Sequence, residues 1–206
     1  VYALNDGEDT DVAAALEQHY WPKFSGDHLP ESSIASAVAI ADRLDTLVGL
    51  FGIGQPPTGS KDPYALRRAT VGLLRIIIEQ GLDLELATLL GTSYGLHKDL
   101  AIPLEKVQPQ LLSFIFDRLR AYYEDQNVAI DIYLAVMENK SNSLLDFDRR
   151  VQAVSEFLKL DAAPALSASN KRVSNILNKN GNGNASFDPA LLSESAEIIL
   201  ADSLET

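Results

Sequence analysis

Apolar residues recur at intervals of three and four along almost the whole chain, and no stretch shows sustained two-residue alternation. The first spacing is that of one face of an α-helix, whereas alternation would indicate a half-buried strand. The pattern therefore predicts an all-α fold built as one or more irregular helical bundles. With 206 residues, of which 46% are hydrophobic, the chain is long enough to form a real core.

Start and stop signals divide this pattern into segments. The clearest start is Asp62 followed by Pro63, a capping residue and a first helical residue, and Gly81 ends the same helix. Residues 91–95 are predicted to form a loop, and the Asn- and Gly-rich residues 178–186 a flexible one. The other helices are predicted at about 11–21, 33–51, 83–90, 105–125, 128–139, 146–160, 162–178 and 188–202.

Composition excludes several classes of protein. The chain has no cysteine, so disulfides, thiolate metal sites and a cysteine nucleophile are impossible. Its net charge of −12 argues against a general nucleic-acid-binding surface, because phosphate neutralisation needs clustered Lys and Arg. No apolar run approaches the roughly 20 residues of a bilayer span, and the first residues lack a secretion signal. We expect a soluble cytoplasmic protein with no membrane or DNA partner, in which any RNA contact is local.

Motifs for catalysis and nucleotide binding are missing from the sequence. The three histidines, His19, His28 and His97, are scattered without zinc-site spacing. The turns at 52–54 and 57–60 lack the spacing of a phosphate-binding loop, and there is no Gly-x-Ser-x-Gly elbow. We therefore expect this chain to hold no cofactor and no catalytic centre of its own.

Two helices carry basic residues opposite their apolar faces. Counting 100° per residue along 66–79 places Arg68 and Arg75 on one stripe, which predicts that both face solvent. Along 162–178, Lys171 lies on a polar side, and the predicted buried stripe consists of Leu166, Val173 and Leu177. Such a face can contact phosphate, but basic residues near a helix C-terminus also favour the helix dipole, and both explanations stay open.

A third expectation concerns a buried ion pair. The same angular counting puts Asp45 at the centre of the apolar face of the 33–51 helix, where an unpaired carboxylate would be costly. Arg67 lies in the inward band of the next helix, one short loop away. We predict that Asp45 and Arg67 form a structural ion pair. The rival hypothesis is that Asp45 is a relic metal ligand and Arg67 a phosphate contact.

Three segments, Ala41–Phe51, Gly52–Ala69 and Asn170–Leu177, resemble in order the beta subunit of the bacterial heterotetrameric glycyl-tRNA synthetase. The resemblance implies an HD-like helical region at 1–100. It also implies a second helical subdomain at 101–206 that leads into a truncated anticodon-binding domain of the DALR type. The chain would then be a fragment covering about a third of that subunit.

In that family the beta subunit binds tRNA(Gly), and the alpha subunit of the α2β2 holoenzyme holds glycine, ATP and Mg²⁺. The resemblance implies a tRNA-binding and subunit-assembly fragment that supports glycylation without its own catalytic centre, with the alpha subunit as its partner. The implied tRNA contacts are Lys61, Arg68, Arg75, Lys171 and Arg172.

Two alternatives remain at this point. A divergent HD-type phosphohydrolase would hold a metal with an upstream His, a His-Asp dyad and a later Asp. The chain offers Asn5 and Asp6 at the place of the dyad, with Asp42 and Asp45 as later acids, and an amide is a poor substitute for imidazole. The other alternative is a purely structural module that joins subunits.

Overall fold

The computed structural model describes residues 2–139, 141–180 and 194–204. Regular secondary structure in these ranges is entirely helical, which confirms the predicted all-α fold. The helices are α1 (Tyr2–Asn5), α2 (Thr10–Gln18), α3 (Ser33–Gly52), α4 (Leu66–Glu79), α5 (Leu86–Leu96), α6 (Leu104–Asp125), α7 (Ile130–Met137), α8 (Leu144–Phe157), α9 (Ala163–Asn180) and α10 (Ser195–Leu204). None of these helices is long and apolar enough to cross a bilayer.

The predicted loop at 91–95 is wrong, because α5 runs through it to Leu96. Leu90 and Ser93 are buried on this helix, and Tyr94 packs against the core. Tertiary packing therefore overrides the poor helix propensity of the two glycines in this segment. Most of the predicted loop at 178–186 and the first part of the predicted helix at 188–202 lie outside the described residues.

Helix α4 begins at Leu66, three residues later than the sequence predicts, and its N-cap position is Ala65 rather than Asp62, although Asp62 still binds the first N–H groups of the helix. The Asp62 carboxylate accepts hydrogen bonds from the backbone N–H groups of Leu66 at 2.8 Å and Arg67 at 3.0 Å. Pro63 is not the first helical residue, since residues 63–64 form a turn that ends at Ala65 in the left-handed region (φ 53°). A non-glycine residue in that region is strained by roughly 1–2 kcal/mol.

Backbone contacts divide the chain into two compact units, Val1–Phe157 and Leu158–Thr206. The boundary that we placed between residues 100 and 101 does not coincide with this division. Leu111 of α6 belongs to the same buried cluster as Leu47 of α3 and Leu73 of α4, so the region around residue 100 lies within one core. The assignment of the two regions to HD-like and anticodon-binding domains stays a prediction.

The first unit has a core built from helices α3 to α8. The long helix α6 contributes a stripe with helical spacing to it, and this stripe consists of Val107, Leu111, Ile115, Leu119 and Tyr123. On α3 the glycines allow a close approach: a Cβ at Gly52 would lie 2.8 Å from Leu100. The Ile102 N–H also donates to the Gly52 carbonyl at 2.9 Å, which holds the segment after α5 against α3.

The second unit contains α9 and α10 in its described part. The predicted buried stripe of α9 is not buried, since Leu166, Val173 and Leu177 are each more than half exposed. The face that the amphipathic pattern marks for burial is therefore uncovered in the described part of the chain.

Candidate functional site

A groove with a volume of about 510 Å³ opens on the first unit. Three segments form it: the residues that follow α2, the middle of α3, and the start of α4. We call it the cationic groove, and its lining residues are His19, Tyr20, Pro22, Lys23, Asp42, Arg43, Thr46, Tyr64, Ala65, Arg68 and Ala69. Its volume falls within the roughly 300–1,000 Å³ typical of ligand pockets.

Arg43 holds one wall of this groove in place. Its guanidinium is buried, with the residue 6% exposed, and it donates to the backbone carbonyls of His19 at 2.9 Å and Trp21 at 2.8 Å. Longer bonds of 3.3 Å reach the carbonyls of Tyr20 and Pro22. Burial lowers the pKa of Arg43, but the carbonyl oxygens partly replace the lost hydration. The segment after α2 is thereby fastened to α3.

Gly72 of α4 makes room for this guanidinium. A Cβ at position 72 would lie 2.7 Å from Arg43 Nε, closer than real Cβ atoms approach another heavy atom. The cationic groove thus depends on glycine at this helical position, because a glycine has no side chain that would collide with the guanidinium.

The charge of the groove is opposite to that of the protein. Its lining has three cations, Lys23, Arg43 and Arg68, against one carboxylate, Asp42, whereas the whole chain carries −12. Arg68 is exposed, and within the described residues its guanidinium forms no hydrogen bond or ion pair. A cation on a concave surface without an internal partner is available to an anionic ligand.

The Gly/Pro loop, residues 53–65, is fixed by contacts of its own. Arg67 Nη2 donates to the Gly59 carbonyl at 2.6 Å, and Tyr64 Oη donates to Gln55 Oε1 at 2.9 Å. Thr58 and Lys61 exchange backbone hydrogen bonds of 3.1 and 2.8 Å. The loop lines a smaller groove of about 180 Å³, and Tyr64 lines both this groove and the cationic groove. An exposed loop is therefore held in one conformation by local side-chain bonds.

The predicted RNA contacts are divided between the two units. Arg68 lies in the cationic groove, and Lys61 lies in the smaller groove beside it. Lys171 and Arg172 lie on α9 in the second unit, where they line a shallow groove of about 370 Å³ together with Lys179. All four are exposed.

The prediction that Arg75 faces solvent is wrong. Its side chain is 13% exposed, and Nε donates to Glu79 at 2.8 Å while Nη2 donates to the Asp27 carbonyl at 3.0 Å. The hydrogen bond to Glu79 raises the pKa of Arg75. The residues after α2 fold over this part of α4, so a cation that the helical count places outside is covered and engaged.

The predicted ion pair between Asp45 and Arg67 is also wrong. The Asp45 side chain is 72% exposed, and its Oδ1 lies 3.2 Å from His97 Nε2. Arg67 instead lies 3.9 Å from Asp62 and binds the Gly59 carbonyl. On α3 the buried charge is Arg43, two residues earlier, because the carbonyls after α2 are available to it.

The acids considered for a metal site do not belong to a cluster of three possible ligands in the described ranges. In the ranges that the structure describes, no three His, Asp or Glu side chains come close enough together to hold a metal ion. Asp42 lines the cationic groove, and Asp45 faces His97. Asp6 follows α1 and is exposed.

Sequence reasoning missed three residues of the site, Lys23, Arg43 and Tyr64. Lys23 lies in a turn-rich segment, where no periodicity indicates which side chains face the groove. The sequence does contain an indication of Tyr64, because an aromatic residue is unusual in a solvated Gly/Pro turn and this one precedes two arginines.

Comparison with known proteins places the whole chain in one family. The family model described as glycyl-tRNA synthetase beta subunit matches residues 1–138. The glycine–tRNA ligase beta subunit of Pseudomonas fluorescens is 52% identical over 200 residues, which are 97% of this chain and 29% of that protein. That of Vibrio atlanticus is 51% identical over 205 residues, or 99% and 30%. The chain spans less than a third of the length of these relatives, and it belongs to the glycyl-tRNA synthetase beta subunit family.

Proposed function

We propose that this chain is a tRNA-binding part of a glycyl-tRNA synthetase beta subunit and that the cationic groove contacts the tRNA backbone. The observation that carries the proposal is Arg68, an exposed guanidinium with no partner among the described residues, in a groove of positive charge on an acidic protein. Phosphate contacts of this kind position a nucleic acid without reading its sequence. The family membership supports tRNA(Gly) as the RNA that binds and its glycylation as the reaction that this binding serves.

Lys23 lines the same groove as Arg68 and adds a second cation to it. Its side chain is exposed, and its backbone N–H donates to Asp27 Oδ2 at 2.7 Å, which fixes the turn that presents it. Two cations in one groove match a phosphate backbone better than one, because each neutralises part of the backbone charge. Lys61 lies beyond Tyr64 and would contact a neighbouring phosphate.

We propose a second, independent RNA contact at Lys171 and Arg172 on α9. Both are exposed, and Lys179 adds a third cation to the same helical face. Loss of this patch is expected to weaken binding of tRNA, because fewer phosphate charges are then neutralised.

We further propose that the chain acts with an alpha subunit in an α2β2 enzyme of the cytoplasm. The relatives are named beta subunits, which supports a partner subunit. ATP and Mg²⁺ would bind to that partner, so this chain alone should not catalyse glycine-dependent pyrophosphate exchange. The exposed apolar stripe of α9 is consistent with a surface that is covered when the subunits assemble.

The test of RNA binding compares Arg68→Ala with Arg67→Ala in the intact enzyme. Arg68→Ala should raise the KM for tRNA, leave pyrophosphate exchange unchanged and reduce the slope of log affinity against log salt by about one. Arg67→Ala is the matched control, since its guanidinium is engaged within the loop. Unchanged tRNA kinetics in both Arg68→Ala and Lys23→Ala would show that the cationic groove is not the tRNA site.

A further inference from the structure

Tyr64 stands between two grooves and is fixed in that position. Its residue is 50% exposed, and it lines both the cationic groove and the smaller groove of the Gly/Pro loop. Its hydroxyl donates to Gln55 Oε1 at 2.9 Å. The residue that follows, Ala65, is in the left-handed region, and α4 begins directly after it. An exposed ring is thus held by a hydrogen bond and a strained turn.

Packing does not explain this ring. The neighbouring Leu66 is fully buried and anchors the segment to the core, whereas half of Tyr64 remains in solvent. Among the described aromatic residues none lies against Tyr64, while Tyr20, the other tyrosine of the groove, has its ring centroid 3.8 Å from that of His19. The exposed half of Tyr64 is therefore available to a ligand, and no described aromatic ring competes for it.

Cations line both of the grooves that Tyr64 borders. Arg68 and Lys23 belong to the cationic groove, and Lys61 belongs to the smaller groove. A planar aromatic platform flanked by cations matches the chemistry of an unpaired nucleotide, whose base stacks while the phosphates on its two sides are neutralised. Paired RNA does not match it, because the bases of an A-form helix are already stacked on one another.

We propose that Tyr64 stacks on an unpaired base, so that this site takes single-stranded rather than duplex RNA. The inference rests on the proposed function and deepens it, since it names the kind of RNA that the groove accepts. Arg68 and Lys23 bind the phosphate on one side of the stacked base, and Lys61 binds the phosphate on the other.

The test measures binding of two probes by the intact synthetase. One probe is a fluorescein-labelled single-stranded RNA of about ten nucleotides, near the 4–16 that single-strand sites commonly cover, and the other is the same strand annealed to its complement. The variants are Tyr64→Ala, which removes the ring, and Tyr64→Phe, which keeps the ring and loses only the bond to Gln55. Pyrophosphate exchange confirms that each variant enzyme is assembled and folded.

We expect Tyr64→Ala to weaken binding of the single strand about 5- to 150-fold, the loss typical of one stacked base, and to leave the duplex within about twofold. Tyr64→Phe should retain most of the affinity. A strand with 5-iodouracil should also form a photocrosslink to Tyr64 itself.

The proposal is overturned if Tyr64→Ala weakens both probes equally or neither. If Arg68→Ala still weakens both probes in that case, the groove remains an RNA site and only the stacking is refuted. If Arg68→Ala and Lys23→Ala also leave both affinities unchanged, the proposed function of the groove fails together with the stacking.

Discussion

Replacing Gly72 by alanine should have opposite effects on stability in two backgrounds. Gly72 lies inside α4, where alanine is normally the better residue by about 0.8–1 kcal/mol. The added Cβ would, however, lie 2.7 Å from Arg43 Nε. Any movement of the guanidinium away from this Cβ disturbs its hydrogen bonds to the carbonyls after α2 and to the Ala39 carbonyl of α3.

The size of the effect follows from the bonds that would be lost. Moving the guanidinium by several tenths of an ångström weakens at least one of its three short bonds, which are 2.9 Å to the His19 carbonyl, 2.9 Å to the Ala39 carbonyl and 2.8 Å to the Trp21 carbonyl. One hydrogen bond from a charged donor contributes about 1.5–3 kcal/mol. After subtracting the propensity gain of about 1 kcal/mol, Gly72→Ala should destabilise the protein by roughly 0.5–2 kcal/mol. In the Arg43→Ala background the obstruction is gone, so the same change should stabilise by about 1 kcal/mol.

The assay is urea unfolding of the four proteins of this double-mutant cycle, followed by fluorescence of Trp21, the only tryptophan in the chain. The coupling free energy should be about 1.5–3 kcal/mol. Gly91→Ala on α5 is the matched control, since a Cβ there meets no atom within 4 Å and should stabilise both backgrounds equally. If Gly72→Ala has the same sign and size in both backgrounds, the account of Arg43 as the fastening of the groove wall is wrong.

Three further outcomes are expected. Ala65→Gly should stabilise the protein by up to about 1 kcal/mol in urea unfolding, because glycine adopts a positive φ without strain. The control is Ala69→Gly inside α4, which should destabilise the protein by about 1 kcal/mol because glycine is a poor helix former. The Ser141 hydroxyl donates a hydrogen bond of 2.6 Å to the Asp146 carboxylate and holds the pKa of Asp146 below its ordinary value. The ionised Asp146 therefore stabilises the folded protein above that ordinary pKa, and this stabilisation is lost as the pH falls through the lowered pKa. Ser141→Ala should raise the pKa of Asp146 in a carboxyl ¹³C NMR titration. Burial raises the pKa of Tyr133 to about 12, so the absorbance of its phenolate should not appear near pH 10. The neutral Tyr133 stabilises the folded protein, and this stabilisation is lost as the pH rises through the raised pKa.

Each of these outcomes has a result that would contradict it. Destabilisation by Ala65→Gly equal to that of Ala69→Gly would show that position 65 carries no strain. An unchanged Asp146 pKa in Ser141→Ala would assign the shift to Arg150 alone, whose Nε also donates to Asp146 at 2.7 Å. A phenolate that forms at ordinary pH in the folded protein would contradict the burial of Tyr133.

The sequence predicts well where periodicity is long and strong. The expected helices at 33–51 and 105–125 are within one residue at each end of α3 and α6, because both have apolar stripes of several turns. The sequence predicts that Asp62 binds the start of α4, and its short carboxylate accepts a hydrogen bond from a free N–H group there. The strained turn at Ala65 left no sequence signal, so the first helical residue was misplaced.

Charged side chains on the groove were harder to place. Angular counting on α3 marks Asp45 as buried, yet Arg43 takes the inward position, since its acceptors lie 21 to 24 residues earlier in the chain. Likewise Arg75 is covered through the Asp27 carbonyl, 48 residues away. A helical count describes one helix in isolation, and it contains no information on which distant loop brings carbonyls to a guanidinium.

The two walls of the cationic groove differ in how far apart in sequence their stabilising contacts are. The wall with Tyr64 and Arg68 is held by bonds between residues four to nine positions apart, through Asp62, Gly59 and Gln55. The segment with Lys23 is joined to α3 by the Arg43 bonds that span more than twenty residues. Local contacts form early in folding and long-range contacts late. We therefore expect the wall with Tyr64 to form first, and partial unfolding that releases the segment after α2 to open the groove while the aromatic ring and Arg68 keep their places.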